Sequence, residues 1–139
     1  MANELELWWE LEPAVPFTCA DGTAITKGSV VRLADPFTVA ATTANEDLVI
    51  GVTKEDKIAS NGITKTSVYM RGIFKATLSG TVSVGDPLGA VLGLNRLQTL
   101  DISGQTLSGQ RCIGTALEST TDGQTGLVFI NVQQVWPSI

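Results

Sequence analysis

Short apolar runs recur along this chain, each bounded by Gly, Asn, Asp or Ser: "SVVRL" (29 to 33), "LVIGV" (48 to 52), "SVYMRGIF" (67 to 74), "CIGTAL" (112 to 117) and "LVFINV" (127 to 132). They are rich in β-branched and aromatic residues, which pack well on a pleated surface, and so they predict strands. Turn chemistry separates them at "DG" (21 to 22), "NG" (61 to 62), "GDP" (85 to 87) and "DG" (122 to 123). There Gly62, Gly123 and their like supply a positive φ and Pro87 pre-sets a turn angle. No window longer than about ten residues keeps a helical period. The mild helix candidate is "TVAATTANED" (38 to 47), whose alanines are offset by threonines.

The pattern repeats over a longer range. "AITKGSVVRL" (24 to 33) parallels "TVSVGDPLGAV" (81 to 91), "VIGVTKED" (49 to 56) parallels "CIGTALES" (112 to 119), and "NGITKTSVYM" (61 to 70) parallels "DGQTGLVFIN" (122 to 131). Gly28 and Gly85, Gly51 and Gly114, Gly62 and Gly123, Val68 and Val128 stand 57, 63, 61 and 60 positions apart. Such near-constant offsets predict an all-β chain with a small β-barrel or β-tulip-like body built from two quasi-repeated units. Two units closing against each other would remove exposed strand edges.

The front of the chain has a different pattern. In "ELELWWELE" (4 to 12), Leu5, Leu7, Trp9 and Leu11 share one parity, while Glu4, Glu6, Glu10 and Glu12 share the other. Trp8 is the one apolar residue among the glutamates. That period of two belongs to a strand with an apolar and an acidic face. A helix here would be short and would run into "EPAVP", where the residue before each Pro is pushed toward extended backbone. The expectation is an extended N-terminal arm over residues 1–18 ahead of a barrel over 19–139. Adjacent residues on a regular strand face opposite ways, so Trp8 and Trp9 are expected on opposite sides. One surface does not bury both; an arm lying between its own body and a neighbour does. Leu5, Leu7, Trp8, Trp9 and Leu11 are therefore the candidate assembly residues. A strand that completes its own subunit's barrel is the simpler alternative.

Composition narrows the function. The 139 residues are 43% hydrophobic and 17% charged, a proportion that supports one core. No apolar run reaches the roughly 20 residues of a membrane helix, and the acidic start is unlike a signal peptide, so a soluble intracellular chain with no membrane partner is expected. The net charge of −5 and the scattering of nine Lys and Arg argue against a nucleic-acid partner.

Candidate chemistry is sparse. With no histidine, the commonest general base and zinc ligand are missing, and a Ser-His-Asp triad is impossible. Cys19 and Cys112 lack Cys-x-x-Cys spacing, so free thiols are expected and no metal or cofactor is implied. The adjacent pairs Glu46–Asp47 and Glu55–Asp56 diverge on a strand and do not converge on a substrate. Asp86, in the Gly85-Asp86-Pro87 turn, reads as a cap for backbone N–H groups. "GAVLGLN" (89 to 95) lacks the Lys-Ser and helix start of a phosphate loop. Gly28, Gly62, Gly85, Asp86, Pro87 and Gly123 are thus read as structural turn residues, and no catalytic constellation is found.

The phrases "CADGTAITKGSVVRLADPFT" (19 to 38), "IGVTKEDKIASNGITKTSVYMRGIF" (50 to 74), "VSVGDPLGAV" (82 to 91) and "IGTALESTTDGQTGLVFINV" (113 to 132) together resemble the capsid cement, or head decoration, proteins of tailed viruses. The resemblance spans most of residues 19–132 and does not extend to 1–18. It implies a small β-barrel or β-tulip, no enzymatic activity, and binding to the outside of an icosahedral head. It also implies a homotrimer that locks neighbouring major capsid protein subunits. A carbohydrate-binding β module on a virion surface and a small β enzyme are the other classes weighed.

Overall fold

The computed structural model describes residues 3–42, 49–91, 94–99 and 112–131. Eleven strands run through them, with no helix: β1 (Glu6–Glu10), β2 (Val15–Cys19), β3 (Val30–Asp35), β4 (Thr38–Ala41), β5 (Val49–Thr53), β6 (Lys65–Tyr69), β7 (Arg71–Ser79), β8 (Pro87–Val91), β9 (Leu94–Thr99), β10 (Gly114–Ala116) and β11 (Thr125–Asn131). The helix candidate at 38–47 begins as strand β4; its later residues, with Glu46 and Asp47, fall outside the described residues.

The fold is all-β and is built from two small five-stranded barrels. In the first, β2-β4-β3-β5-β6 closes on itself; in the second, β7-β11-β10-β8-β9 closes through a parallel β7–β9 pairing. Closure therefore happens within each unit rather than between the two. The units follow one plan, strand for strand. β2 pairs with β4 in parallel and with β6 antiparallel, and β7 does the same with β9 and β11. Turn hydrogen bonds repeat as well: Gly28 N–H to Thr53 O matches Gly85 N–H to Ala116 O, and Thr53 N–H to Ser29 O matches Ala116 N–H to Asp86 O. The run "SVYMRGIF" is not one strand. It breaks at Met70, where the first barrel ends and the second begins.

Two glycines show how tightly this plan is fixed. A Cβ on Gly51 would stand 2.1 Å from Tyr69 O, and one on Gly114 would stand 1.9 Å from Phe129 O. At each place the neighbouring backbone occupies the space a side chain needs, so only glycine lets the strands approach. Gly28, Gly62, Gly85 and Gly123 all have φ between 78° and 91°, which L side chains rarely adopt.

The core has two parts. Phe17, Cys19, Ile25, Val31, Val39 and Val68 fill the first barrel. The second cluster joins the interior of the second barrel (Phe74, Leu78, Leu88, Leu97, Ile113 and Val128 among them) to Leu5 and to Val30, Val52 and Tyr69 from the outer face of the first. Tyr69 meets Phe74 edge to face at 5.8 Å between centroids, so one apolar seam welds the units together.

The loop end of the first barrel holds a buried cation. The Lys57 side chain is 1% exposed, and its ammonium donates to Asp21 O, Asp21 Oδ1 (3.2 Å), Ile58 O and Asn61 Oδ1 (2.9 Å). Asp21 Oδ1 also accepts from Gly62 N–H, which ties the "DG" and "NG" turns to each other. The Lys57 hydrogen bond, and then that of Gly62, hold the Asp21 carboxyl below its ordinary pKa despite some opposing desolvation.

Two outcomes follow. Gly114→Ala is expected to destabilise the fold by about 3 kcal/mol, the upper end of overpacking costs, and to lower Tm by roughly 10 °C in thermal melts. A depressed native pKa contributes stability that is complete above the unfolded carboxylate value near 4 and fades as pH falls through the lower native value. Melts between pH 7 and pH 2 should therefore show the wild type above Asp21→Asn at neutral pH and the two curves converging in acid. Parallel curves would assign the acid sensitivity to other carboxylates.

Candidate assembly surface

The N-terminal strand lies on its own chain. β1 pairs antiparallel with the first half of β7, in the register Glu6↔Lys75, Leu7↔Phe74, Trp9↔Ile73 and Glu10↔Gly72. β9 reaches only the far end of that same β7 edge, at Leu78 and Ser79. β1 thus completes an edge that would otherwise present unpaired N–H and C=O groups. β2 begins at Val15, so the segment 1–18 contributes β1 and most of a strand of the first barrel.

Leu5 is the anchor of the segment. It is buried at 4% exposure, and its N–H donates to Gly28 O at 2.9 Å. A Cβ on Gly28 would meet Leu5 O at 2.6 Å, so this turn glycine also makes room for the incoming strand. Asn95, at the start of β9, fixes the same point: its Nδ2 donates to Asn3 O and Gly28 O, and its Oδ1 accepts from Val30 N–H.

The rest of β1 faces outward. Register slips by one residue between Leu7 and Trp9, so Trp8 is the extra residue of a β-bulge. This changes the alternation on which the opposed-tryptophan expectation depended. The two rings sit 6.2 Å apart between centroids at a 42° tilt, side by side rather than on opposite faces. Trp8 is 55% and Trp9 59% exposed, with Leu7 and Leu11 also open to solvent. The two large rings form an exposed apolar patch on one short strand, Leu11 follows directly after it, and Leu7, paired with buried Phe74, faces the groove side. Exposed apolar patches of this kind mark binding surfaces. Glu6 and Glu10 stand among them, exposed, and Glu12 lies 3.6 Å from Arg71. Beside the strand a groove of about 570 Å³ is lined by Glu4, Leu5, Leu7, Lys27, Tyr69 and Phe74, among others.

The turn residues serve the backbone. Asp86 Oδ2 accepts from Ser83 N–H at 2.9 Å and from Thr99 Oγ1 at 3.0 Å, while Pro87 opens β8. Gly62 and Gly123 sit in open space at positive φ. Asp56 Oδ1 accepts from Lys27 N–H, and its neighbour Glu55 is exposed, so that pair does not form an acid–base couple. Cys19 is buried and Cys112 half-buried, both free, and burial pushes the Cys19 thiol pKa up. Among the described residues, no three Cys, Asp or Glu side chains gather as a metal site, and no helix is long and apolar enough to cross a membrane. The Lys57 cage and Asn95 escaped sequence reading, since neither a lone Lys nor a lone Asn carries a local signal of burial.

No family profile and no curated protein matches the chain by sequence. By structure the chain is similar to the N base of the head fiber gp8.5 of bacteriophage phi29, with a TM-score of 0.56 at 16% identity, over 88% of this chain and 98% of that one. At that identity the likeness is one of fold: the tandem-barrel architecture is shared almost to the full length of the phage domain.

Proposed function

We propose that this protein is a non-enzymatic structural component of a tailed-virus head. In this reading it is made in the host cytoplasm, binds the outer surface of an icosahedral shell as a homotrimer, and stabilises the major capsid protein lattice as a cement or decoration protein. The observation that carries the reading is the fold likeness to a phage head fiber base along nearly all of that domain. The resemblance of residues 19–132 to head decoration proteins points the same way.

The surface suited to the task is β1. Its outer edge is the end of the second barrel's sheet, open to strand addition, and Trp8, Trp9, Leu7 and Leu11 supply apolar contact beside it. The glutamates keep the free form soluble and favour a partner segment bearing Lys or Arg. A ligand that binds the assembled lattice and not its free subunits raises lattice stability by mass action. A carbohydrate-binding reading draws on the same exposed rings and on Phe37, whereas Tyr69 and Phe74 are buried in the seam.

The test is to mix purified heads lacking the protein with wild type, Trp8→Ala and Trp9→Ala, and to sediment. Wild type should co-sediment and raise the melting temperature of the heads. Each tryptophan variant should keep its own Tm and bind about 30-fold more weakly, the equivalent of about 2 kcal/mol for a truncated aromatic anchor. Wild type left in the supernatant would sink the shell-binding reading. Variants that bind like wild type would move the contact away from β1.

A further inference from the structure

Strand register aligns the two barrels over most of their paired positions, and their outer faces differ. On the first barrel Val30 pairs with Val52 and Val52 with Tyr69. On the second the matching row is Pro87, Thr115 and Phe129, continued by Ile73 on β7. The first row is buried, at 2%, 0% and 6% exposure, because the second barrel and Leu5 cover it. All four residues of the second row remain half-exposed.

The rim differs in the same sense. Lys27 and Lys54 flank the first row; their counterparts by register are Val84 and Leu117, which are 64% and 40% exposed. At these two rim positions the second barrel carries apolar residues where the first carries charge, while the Arg71 guanidinium lies 5.7 Å over the Phe129 ring.

The covering element has a counterpart too. Val30 N–H is received by Asn95 Oδ1 from the second barrel. Val39 and Leu97 are equivalent in the two barrels, and two residues before them, across a register slip in each hairpin, stand Phe37 and Asn95. Phe37 is 59% exposed, holds a positive φ of 53°, and is kept outward by stacking on Phe17 at 4.6 Å. Pro87, the counterpart of Val30, has no N–H. A donor and its acceptor in the internal contact are therefore replaced, at the two open ends of the chain, by a proline and a phenylalanine. Neither leaves an unsatisfied polar group when buried against the other.

We propose that the outer face of the second barrel, formed by Pro87, Thr115, Phe129 and Ile73 with Val84 and Leu117 at its rim, docks the first barrel of another copy of this chain through Phe37. The contact repeats between chains the packing that already joins the two barrels within one. It is heterologous, head to tail, so copies form a ring where the rotation closes. Three copies would make a ring of six similar barrels. The row runs on from Ile73 to Trp9 of β1, so this contact borders the surface proposed for the shell, while Thr115 and Phe37, the residues that test it, lie outside β1.

Sedimentation equilibrium of the full-length protein tests it, with thermal melting as the fold control. Wild type is expected at a multiple of the 14.6 kDa chain mass. Thr115→Arg, which alters only the outer face of the second barrel, and Phe37→Glu, which alters only the first, should each weaken self-association at least tenfold. An equimolar mixture of the two should recover a dimer, because one intact face of each kind remains. A wild-type protein that stays monomeric throughout the concentration series overturns the proposal. So does Thr115→Arg with the wild-type mass, which decides the matter even where Phe37→Glu disturbs its stack on Phe17. A mixture of folded variants that stays monomeric also overturns it.

Discussion

The side-chain amide of Asn95 joins three parts of the molecule at one point. It donates to the N-terminal segment at Asn3 O and to the first barrel at Gly28 O, and accepts from the first barrel at Val30 N–H, while itself belonging to the second. Because the site is buried, losing the acceptor would strand a backbone donor, at a cost of about 1–3 kcal/mol. The apolar seam of Leu5, Val30, Val52, Tyr69 and Phe74 supplies bulk attraction around it. Hydrophobic attraction is non-directional, and the amide supplies the direction. With this junction fixed, Leu5 is held at the Gly28 turn and β1 is laid along the only stretch of β7 that β9 leaves unpaired.

That placement gives the exposed tryptophans a rigid platform. A free arm would lose conformational entropy on docking, whereas a strand already paired with β7 has little left to lose. The bulge at Trp8 turns both rings to one side and concentrates apolar area that a regular strand would divide. Deleting the segment would also remove Leu5 from the seam and uncover β7, so surface substitutions separate binding from folding more cleanly than truncation does.

The duplicated plan explains where the molecule is polar and where it is not. Gly51 and Gly114 keep the same close backbone approach in both units, since a Cβ in either would overlap the neighbouring strand's backbone. Positions that face the other barrel have diverged. Asn95 and Phe37, Lys27 and Val84, Lys54 and Leu117 occupy equivalent places with opposite polarity, and Val30 and Pro87 differ in the backbone N–H, as expected when one face is covered within the chain and its twin is not.

By itself the sequence determined the all-β class, the turns at Gly28, Gly62, Gly85 and Gly123, and the existence of two units. Those features depend on local conformational preference and on side-chain period, which are written in consecutive residues. Tertiary structure decided the rest. That "SVYMRGIF" breaks at Met70 between barrels, that β2 and β9 are strands despite interrupting Pro16 and Arg96, and that each unit closes on itself are outcomes of pairing between distant segments. The bulge that brings Trp8 and Trp9 together is set by the register with β7 and leaves no trace in the alternation of Glu and Leu. Lys57 and Asn95 are buried because acceptors and donors from three loops or strands converge on them, and such convergence in space has no signature in the order of residues.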